Sequence, residues 1–336
     1  MNSISPIKRG ISLFSFQQKY YTGAMTLEDC LAQASKLGVQ GIEMLVDQMV
    51  PGYPSITYNL SDAFVDRWNE MLQQYKLEAV CLDIYGETKL HKRKKVTNEE
   101  LLQQLLALMK TAKALNFSFI RLTMHLPYEV IEACIPHAEE QGIKLASEVH
   151  APHLMTGEWV RRNVELIEKT GTKHLGLMPD LGTFSRTIPP VVIAESLRKG
   201  GQQRIAEYLN DVYVSREIPK DLMAKVGSMG GNDLDMWLAM RVMIETWTYQ
   251  NPKALAEFMP YVTHVHGKFY EVTNELREPS VDYDGVMDVL TKSGYNGYIM
   301  SEYEGQRLTQ DIEDPNFDEI EQVTRHQAML RRYLGQ

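Results

Sequence analysis

Glu148 and His150 stand two residues apart at the end of an apolar run, Leu145-Ala146-Ser147-Glu148-Val149-His150. Side chains alternate along an extended strand, so this carboxylate and this imidazole point to one side. Three further apolar runs end in a residue able to hold a cation: Leu175-Gly176-Leu177-Met178-Pro179-Asp180, Val262-Thr263-His264-Val265-His266 and Tyr298-Ile299-Met300-Ser301-Glu302. If these four strand ends converge, the carboxylates of Glu148, Asp180 and Glu302 repel one another unless a cation sits between them. With His266 as a fourth donor, three carboxylates and one imidazole suit Mn2+ first, with Mg2+, Co2+, Fe2+ or Zn2+ as substitutes. The competing reading of any one of these acids is an ordinary loop residue. His150 faces the same cavity as Glu148, where a neutral imidazole beside a cation serves as a general base near pH 7. A further metal ligand, or a core histidine with a satisfied hydrogen bond, is the alternative for it.

Other residues fall in phase with this set. His264 points inward one layer deeper than His266, and Lys268 points inward nearer the mouth, where it can bind an anionic oxygen or form a salt bridge. Glu43, Asp83, Arg121 and His125 also lie at strand ends. All four are candidates either for binding hydroxyl groups of a ligand or for supporting the cation's ligands by hydrogen bonds, with an internal salt bridge favoured for Arg121. His153, in the loop after His150, is expected to be exposed. The basic run His91-Lys92-Arg93-Lys94-Lys95 reads as a solvated loop.

The elements that must position these groups alternate along the chain. Strand-like runs start near residues 11, 41, 78, 117, 144 and 174, each followed by an apolar stripe at helical spacing. Thr26 and Ser61 are placed as N-caps, and Gly38, Gly142 and Gly171 as helix stops. The interval between strands is what a βα unit requires. It breaks once, since the next strand is expected near 262 and the last near 297. Eight βα units with one insertion predict an α/β fold, a (β/α)8 TIM barrel with a helical insertion between strands 6 and 7, at about 186–260. One domain over 1–336 is expected. A doubly wound open sheet is the competitor, weakened because Phe16-Gln17-Gln18-Lys19 stands where a Gly-rich phosphate loop would follow the first strand. Within the insertion a helix is expected from Asp233 to Tyr249, carrying Met236, Trp237, Met240, Met243, Ile244 and Trp247. Packing against the barrel is the plain reading of that stripe. A lid or a subunit interface is the sharper one.

Composition narrows the function classes. The 336 residues carry a net charge of −9 with a pI near 5.6, which argues against a nucleic-acid footprint. Cys30, Cys81 and Cys134 are far apart, odd in number and without zinc spacing, as expected of buried thiols in a reducing cytoplasm. No run approaches the roughly 20 apolar residues of a membrane span, and the expectation is a cytoplasmic protein that takes a small molecule.

The pattern Glu148-x-His150, Asp180, His264-Val265-His266-x-Lys268 and Glu302, with Gly294-Tyr295-Asn296-Gly297 before the last strand, resembles the xylose-isomerase-like barrels of sugar isomerases and epimerases. The resemblance implies a divalent metal on Glu148, Asp180, His266 and Glu302 that holds adjacent sugar oxygens. Three features depart from the epimerase pattern: Thr183 stands where a His is common, no second Glu follows the fifth strand, and Phe269-Tyr270-Glu271-Val272 replaces an Arg-bearing loop. The segments Ser147 to His153, Met178 to Phe184, His264 to Phe269 and Ser301 to Gly305, with the insertion, look more like the α-subunits of bacterial C-glycoside deglycosidases. That resemblance implies cleavage of the C-glycosidic bond of 3-oxo-C-glucosides bearing flavonoid-type aglycones, with His150 taking the C2 proton, in a hetero-oligomer with a small β-subunit. Lys268, Glu43 and His125 would touch the sugar. An epimerase, isomerase or dehydratase using the same metal is the alternative within sugar enzymes. A non-catalytic metal-binding or scaffolding subunit is the alternative from another class.

Overall fold

The structure, a computed structural model, describes residues 5–51, 60–83, 90–123, 126–244 and 247–336. His125 lies outside the described residues. Eight parallel strands follow one another around a barrel: β1 (Lys8–Ser12), β2 (Gly41–Leu45), β3 (Glu78–Asp83), β4 (Phe119–Leu122), β5 (Lys144–Val149), β6 (Leu175–Pro179), β7 (Val265–Phe269) and β8 (Tyr298–Tyr303). β1 pairs with both β2 and β8, and the bridges Leu177–Val262 and Asp180–His266 join β6 to β7, so the sheet has the closed order of a (β/α)8 barrel. This closure removes the open-sheet alternative.

The strands are buried along nearly their whole length because side chains fill the inside and helices cover the outside. Val80, Phe119, Tyr298 and Met300 form an apolar floor inside the barrel. Gly10 and Gly41 make room for it: a Cβ on Gly10 would collide with the Met300 sulfur, and one on Gly41 with Val80 and Tyr298. One residue pair higher on β8, alternation places Glu302 on the same inward face as Tyr298 and Met300.

The helices begin and end on local signals. Thr26 and Thr97 each close a capping box, with Asp29 and Glu100, and Ser61 accepts a hydrogen bond from the Phe64 N–H. Gly142 and Gly171 end their helices in the left-handed conformation, which a residue without Cβ adopts at little cost. All three cysteines are buried and unpaired. Among the described residues no helix is long and apolar enough to cross a membrane. The basic run 91–95 is exposed, and His91 and Lys94 contact Glu100.

Between β6 and β7 the chain forms the helices Pro190–Arg198, Gln203–Ser215, Leu222–Ser228 and Asp233–Ile244, followed by a 3-10 segment, Pro252–Tyr261. Two expectations are corrected here. β7 spans Val265–Phe269, not 262–266, so His266 lies near its start and Lys268 near its end. The helix beginning at Asp233 is described as far as Ile244, and Trp247 lies outside it. Trp247 is buried edge-on against Tyr270, and the adjacent Thr248 N–H donates to the Gly182 carbonyl. Those tertiary contacts outweigh the continued helical spacing.

Candidate metal centre

Four elements carry the predicted cluster. Glu148 is the penultimate residue of β5, Asp180 directly follows β6, His266 is the second residue of β7, and Glu302 is the penultimate residue of β8. The strands of a barrel are staggered, and this stagger sets the start of β7 level with the end of β6. The bridge Asp180–His266 is the direct expression of that register. One oxygen from each of Glu148 and Asp180 and one nitrogen of His266 lie within 4.8 Å of each other. His266 Nδ1 is 3.2 Å from Glu148 Oε1 and 3.4 Å from Glu302 Oε2.

Glu43 lies on the other side of the His266 ring, fully buried. His266 Nε2 is 2.9 and 3.0 Å from its two oxygens, and His264 Nε2 is 3.2 Å from Oε2. His264 sits one layer down, stacked on Phe119, as its phase requires. Asp83 and Glu148 grip Arg121 from two sides, with Arg121 Nη1 donating to Glu148 Oε2 at 2.8 Å. Lys268 Nζ is 2.7 Å from Asp180 Oδ2, 3.5 Å from Glu302 Oε2 and 3.9 Å from Glu304 Oε2.

The six carboxylates Glu43, Asp83, Glu148, Asp180, Glu302 and Glu304 thus surround two permanent cations, Arg121 and Lys268. The titration directions of Glu148, Glu302, His266 and Lys268 follow from who stands next to whom. Burial pushes Glu148 up, but the Arg121 guanidinium together with His266 and His150 hold its carboxyl well below the usual range. Burial also pushes Glu302 up, and there it prevails: its cations are more distant, and Asp180 and Glu148 repel its charge. Burial lowers His266 and Lys268, yet the surrounding carboxylates outweigh it and raise both well above their ordinary values. An acidic cluster that recruits protons and ammonium groups in this way is one that a divalent cation stabilises. Asp180 Oδ2 and Glu302 Oε2 are buried, and among the described residues the Lys268 ammonium and, for Glu302, the His266 ring meet them as ion pairs with no well-directed hydrogen bond. Oxygen donors with one imidazole fit a hard or borderline divalent ion, and the residues present therefore suit such a group.

His150 stands beside this centre with a different neighbour at each ring nitrogen. Its Nδ1 is 2.7 Å from the Ala151 carbonyl oxygen, which only accepts, so Nδ1 carries the hydrogen. Its Nε2 is 3.1 Å from the Lys268 ammonium, which only donates, so Nε2 carries a lone pair that accepts from it. That lone pair lies 3.9 Å from Asp180 Oδ2, beside the cluster.

Several supporting contacts have no signature in the sequence. Lys268 is held from behind by Tyr283, whose hydroxyl is 2.9 Å from the Lys268 carbonyl oxygen and 2.7 Å from His326 Nε2. His326 Nδ1 in turn lies 2.6 Å from the Ser301 hydroxyl, next to Glu302. Glu304, near Lys268, was not singled out by sequence, although Glu302-x-Glu304 shows the same alternation as Glu148-x-His150. Thr183 does not reach the cluster: its hydroxyl donates to the Asp180 carbonyl at 2.9 Å and tightens the turn. The Gly182 N–H donates to Asp180 Oδ1 at 2.7 Å, which aims Oδ2 inward. His153, expected to be exposed, is half-buried and stacks on Trp159 with ring centres 5.5 Å apart.

Known proteins resemble this chain along its whole length. The family model described as Xylose isomerase-like TIM barrel matches residues 31–333. The 3'-dehydrocarminate deglycosidase alpha subunit of Microbacterium sp. is 24% identical, with 100% of this chain and 98% of that protein covered. The C-glycoside deglycosidase alpha subunit of Arthrobacter globiformis is 26% identical, with 91% and 86% covered. Among solved structures, a D-psicose 3-epimerase superposes with a TM-score of 0.56 at 13% identity, over 98% of this chain and 99% of that one. A 3-keto-D-glucoside 4-epimerase from E. coli superposes with a TM-score of 0.52 at 10% identity, over 98% and 100%. At such identities these superpositions establish the fold alone.

Proposed function

Because this chain belongs to the xylose isomerase-like TIM-barrel family, we propose that it is the catalytic subunit of a C-glycoside deglycosidase, cleaving the carbon–carbon bond between a 3-oxo-glucosyl group and an aromatic aglycone. The observation that carries this reading is the His150 Nε2 lone pair held beside the Glu148–Asp180–His266–Glu302 cluster. The names of the two deglycosidase subunits that match over most of their length support it. A C-glycoside lacks the exocyclic oxygen that a glycosidase acid protonates, so a pair of carboxylates alone does not suffice. A ketone at C3 makes the C2 hydrogen acidic instead. A divalent ion, Mn2+ first among those the donors suit, held by Glu148, Asp180, His266 and Glu302, would supply Lewis-acid polarisation of the sugar carbonyl.

The chain's own groups do the rest. His150 Nε2 takes the C2 proton. The electron pair of the C2–H bond forms the C1=C2 bond as the C1–aryl bond breaks, and the aryl carbon takes up one proton. The products are an unsaturated 3-oxo sugar and the free aromatic compound, with no oxidant or reductant consumed. When substrate enters, the Lys268 ammonium exchanges its hydrogen bond to His150 Nε2 for one to a sugar oxygen, which frees the lone pair to take the proton.

A smaller partner subunit belongs to this reading, since both relatives are named alpha subunits. Its seat is the outer face of the helix Asp233–Ile244, where Trp237, Met243 and Ile244 are 55%, 44% and 66% exposed. Apolar residues of this size and kind are characteristic of interface anchors. The test supplies a 3-oxo-C-glucoside to the chain, alone and with a candidate small subunit, and identifies the products by NMR. Free aglycone with the unsaturated 3-oxo sugar is expected, most of it only with the partner present. An epimerised sugar still joined to its aglycone would replace this reading with an epimerase. Binding of a sugar analogue without turnover, even with the partner, would replace it with a non-catalytic subunit.

A further inference from the structure

Glu43, Glu148, His264 and His266 pose a question of orientation. His266 has carboxylates on both ring nitrogens: Glu43 at Nε2, Glu148 and Glu302 at Nδ1. Two groupings around this ring have the composition of an ion site, Glu148–Asp180–His266 and Glu43–His264–His266. An imidazole with one ring hydrogen presents only one lone pair. The choice between the groupings therefore depends on which nitrogen keeps its hydrogen.

We infer that Glu43 is a positioning residue that fixes His266 with its hydrogen on Nε2, so that Nδ1 serves a single metal centre with Glu148, Asp180 and Glu302. Three observations carry this. The Glu43 carboxylate only accepts, and His266 Nε2 lies within 3.0 Å of both its oxygens, a forked contact that leaves the ring little rotational freedom. His264 Nε2 also reaches Glu43, at 3.2 Å, while its Nδ1 is buried without a hydrogen-bond partner. The hydrogen of His264 is thus spent on the same carboxylate, and both imidazoles turn N–H groups, not lone pairs, toward Glu43. Finally, Glu43 is wholly buried and the apolar floor lies beneath it, so a cation there would have no water to complete its shell. A carboxylate hydrogen-bonded to the far nitrogen of a metal-binding histidine orients the ring and strengthens it as a ligand, commonly by about 10- to 100-fold in metal affinity.

This inference rests on the metal reading of the proposed function but not on its substrate, and its test reads metal binding without turnover. Chelator-stripped protein is titrated with Mn2+, for the wild type, Glu43→Gln and Glu43→Ala. The wild type is expected to bind one ion per chain. Glu43→Gln keeps the shape of the side chain but not its charge or its double acceptor role, and its Kd should rise by about 10-fold or more with the stoichiometry unchanged. In parallel, Zn2+-loaded protein labelled with 15N in its imidazoles should show the His266 hydrogen on Nε2 and the metal on Nδ1. A Kd within twofold of the wild type in Glu43→Gln overturns the inference, as does a His266 signal with metal on Nε2. Two ions per wild-type chain, one of them lost in Glu43→Gln, would make Glu43 a ligand instead. If Glu43→Ala fails to fold, the isosteric variant and the wild-type spectrum still decide the matter. A protein that binds one ion in this way yet does not cleave a 3-oxo-C-glucoside would leave Glu43 in its role and overturn only the substrate.

Discussion

The inside of the barrel and the outer face of the insertion depart from ordinary burial in opposite ways. The barrel interior gathers Glu43, Asp83, Glu148, Asp180 and Glu302 where water is nearly excluded. The helix Asp233–Ile244 turns Trp237, Met243 and Ile244 toward water while Leu238, Ala239 and Val242 on its other side are already buried. Buried charge is costly unless opposite charge meets it, and Arg121 and Lys268 meet part of it from within the chain. Exposed apolar surface contributes nothing until covered, when a side chain of this size is worth about 2 kcal/mol. The difference teaches where each region finds its complement. The interior site is assembled by strands from several parts of the chain. The outer face belongs to one helix, and in the proposed function its complement comes from another molecule.

Breaking the interior should have the largest effect. Glu148→Gln, Asp180→Asn, His266→Ala and Glu302→Gln should each lose most of the bound divalent metal, measured by elemental analysis, and turnover should fall to background. Chelation of the wild type should do the same. Full metal occupancy in all four variants would separate this cluster from any metal role. A smaller but sharper effect concerns the base. His150→Ala should keep its metal and fold while turnover falls by at least about 10²-fold. Metal loss in that variant would make His150 a ligand, and near-normal turnover would remove it from the reaction.

The outer face should respond differently in kind. Trp237→Glu and Ile244→Glu should leave metal content unchanged and shift folding stability by no more than about 0.5 kcal/mol, as expected of exposed positions. Association with a small subunit should weaken by about 5-fold or more for each, a loss of about 1 kcal/mol that only a minority of interface residues produce. Sedimentation or surface-binding measurements with the purified subunit would read this directly. Unchanged association would move the interface off this helix, while loss of metal would show that the two regions are coupled.

What could be read without coordinates is local. The period of two along strands placed Glu148, His150, His264, His266, Lys268 and Glu302 facing inward, because alternation needs only neighbouring residues. Caps at Thr26 and Ser61 and stops at Gly142 and Gly171 were legible for the same reason. The repeated strand–helix spacing pointed to the barrel and to the position of its long interruption. Alternation says which face a residue takes but not its height along the barrel. The seventh strand could therefore slide three residues, from an expected 262–266 to Val265–Phe269, without changing which of its residues point inward. Its height was decided by the stagger of the closed sheet, which sets His266 beside Asp180. Helical spacing likewise continued to Trp247, but packing on Tyr270 drew that residue out of the helix. Only the tertiary structure joined Glu43 to His266, 223 residues apart, and seated Arg121 between Asp83 and Glu148. Such pairings depend on barrel closure, and no local pattern of residues encodes them.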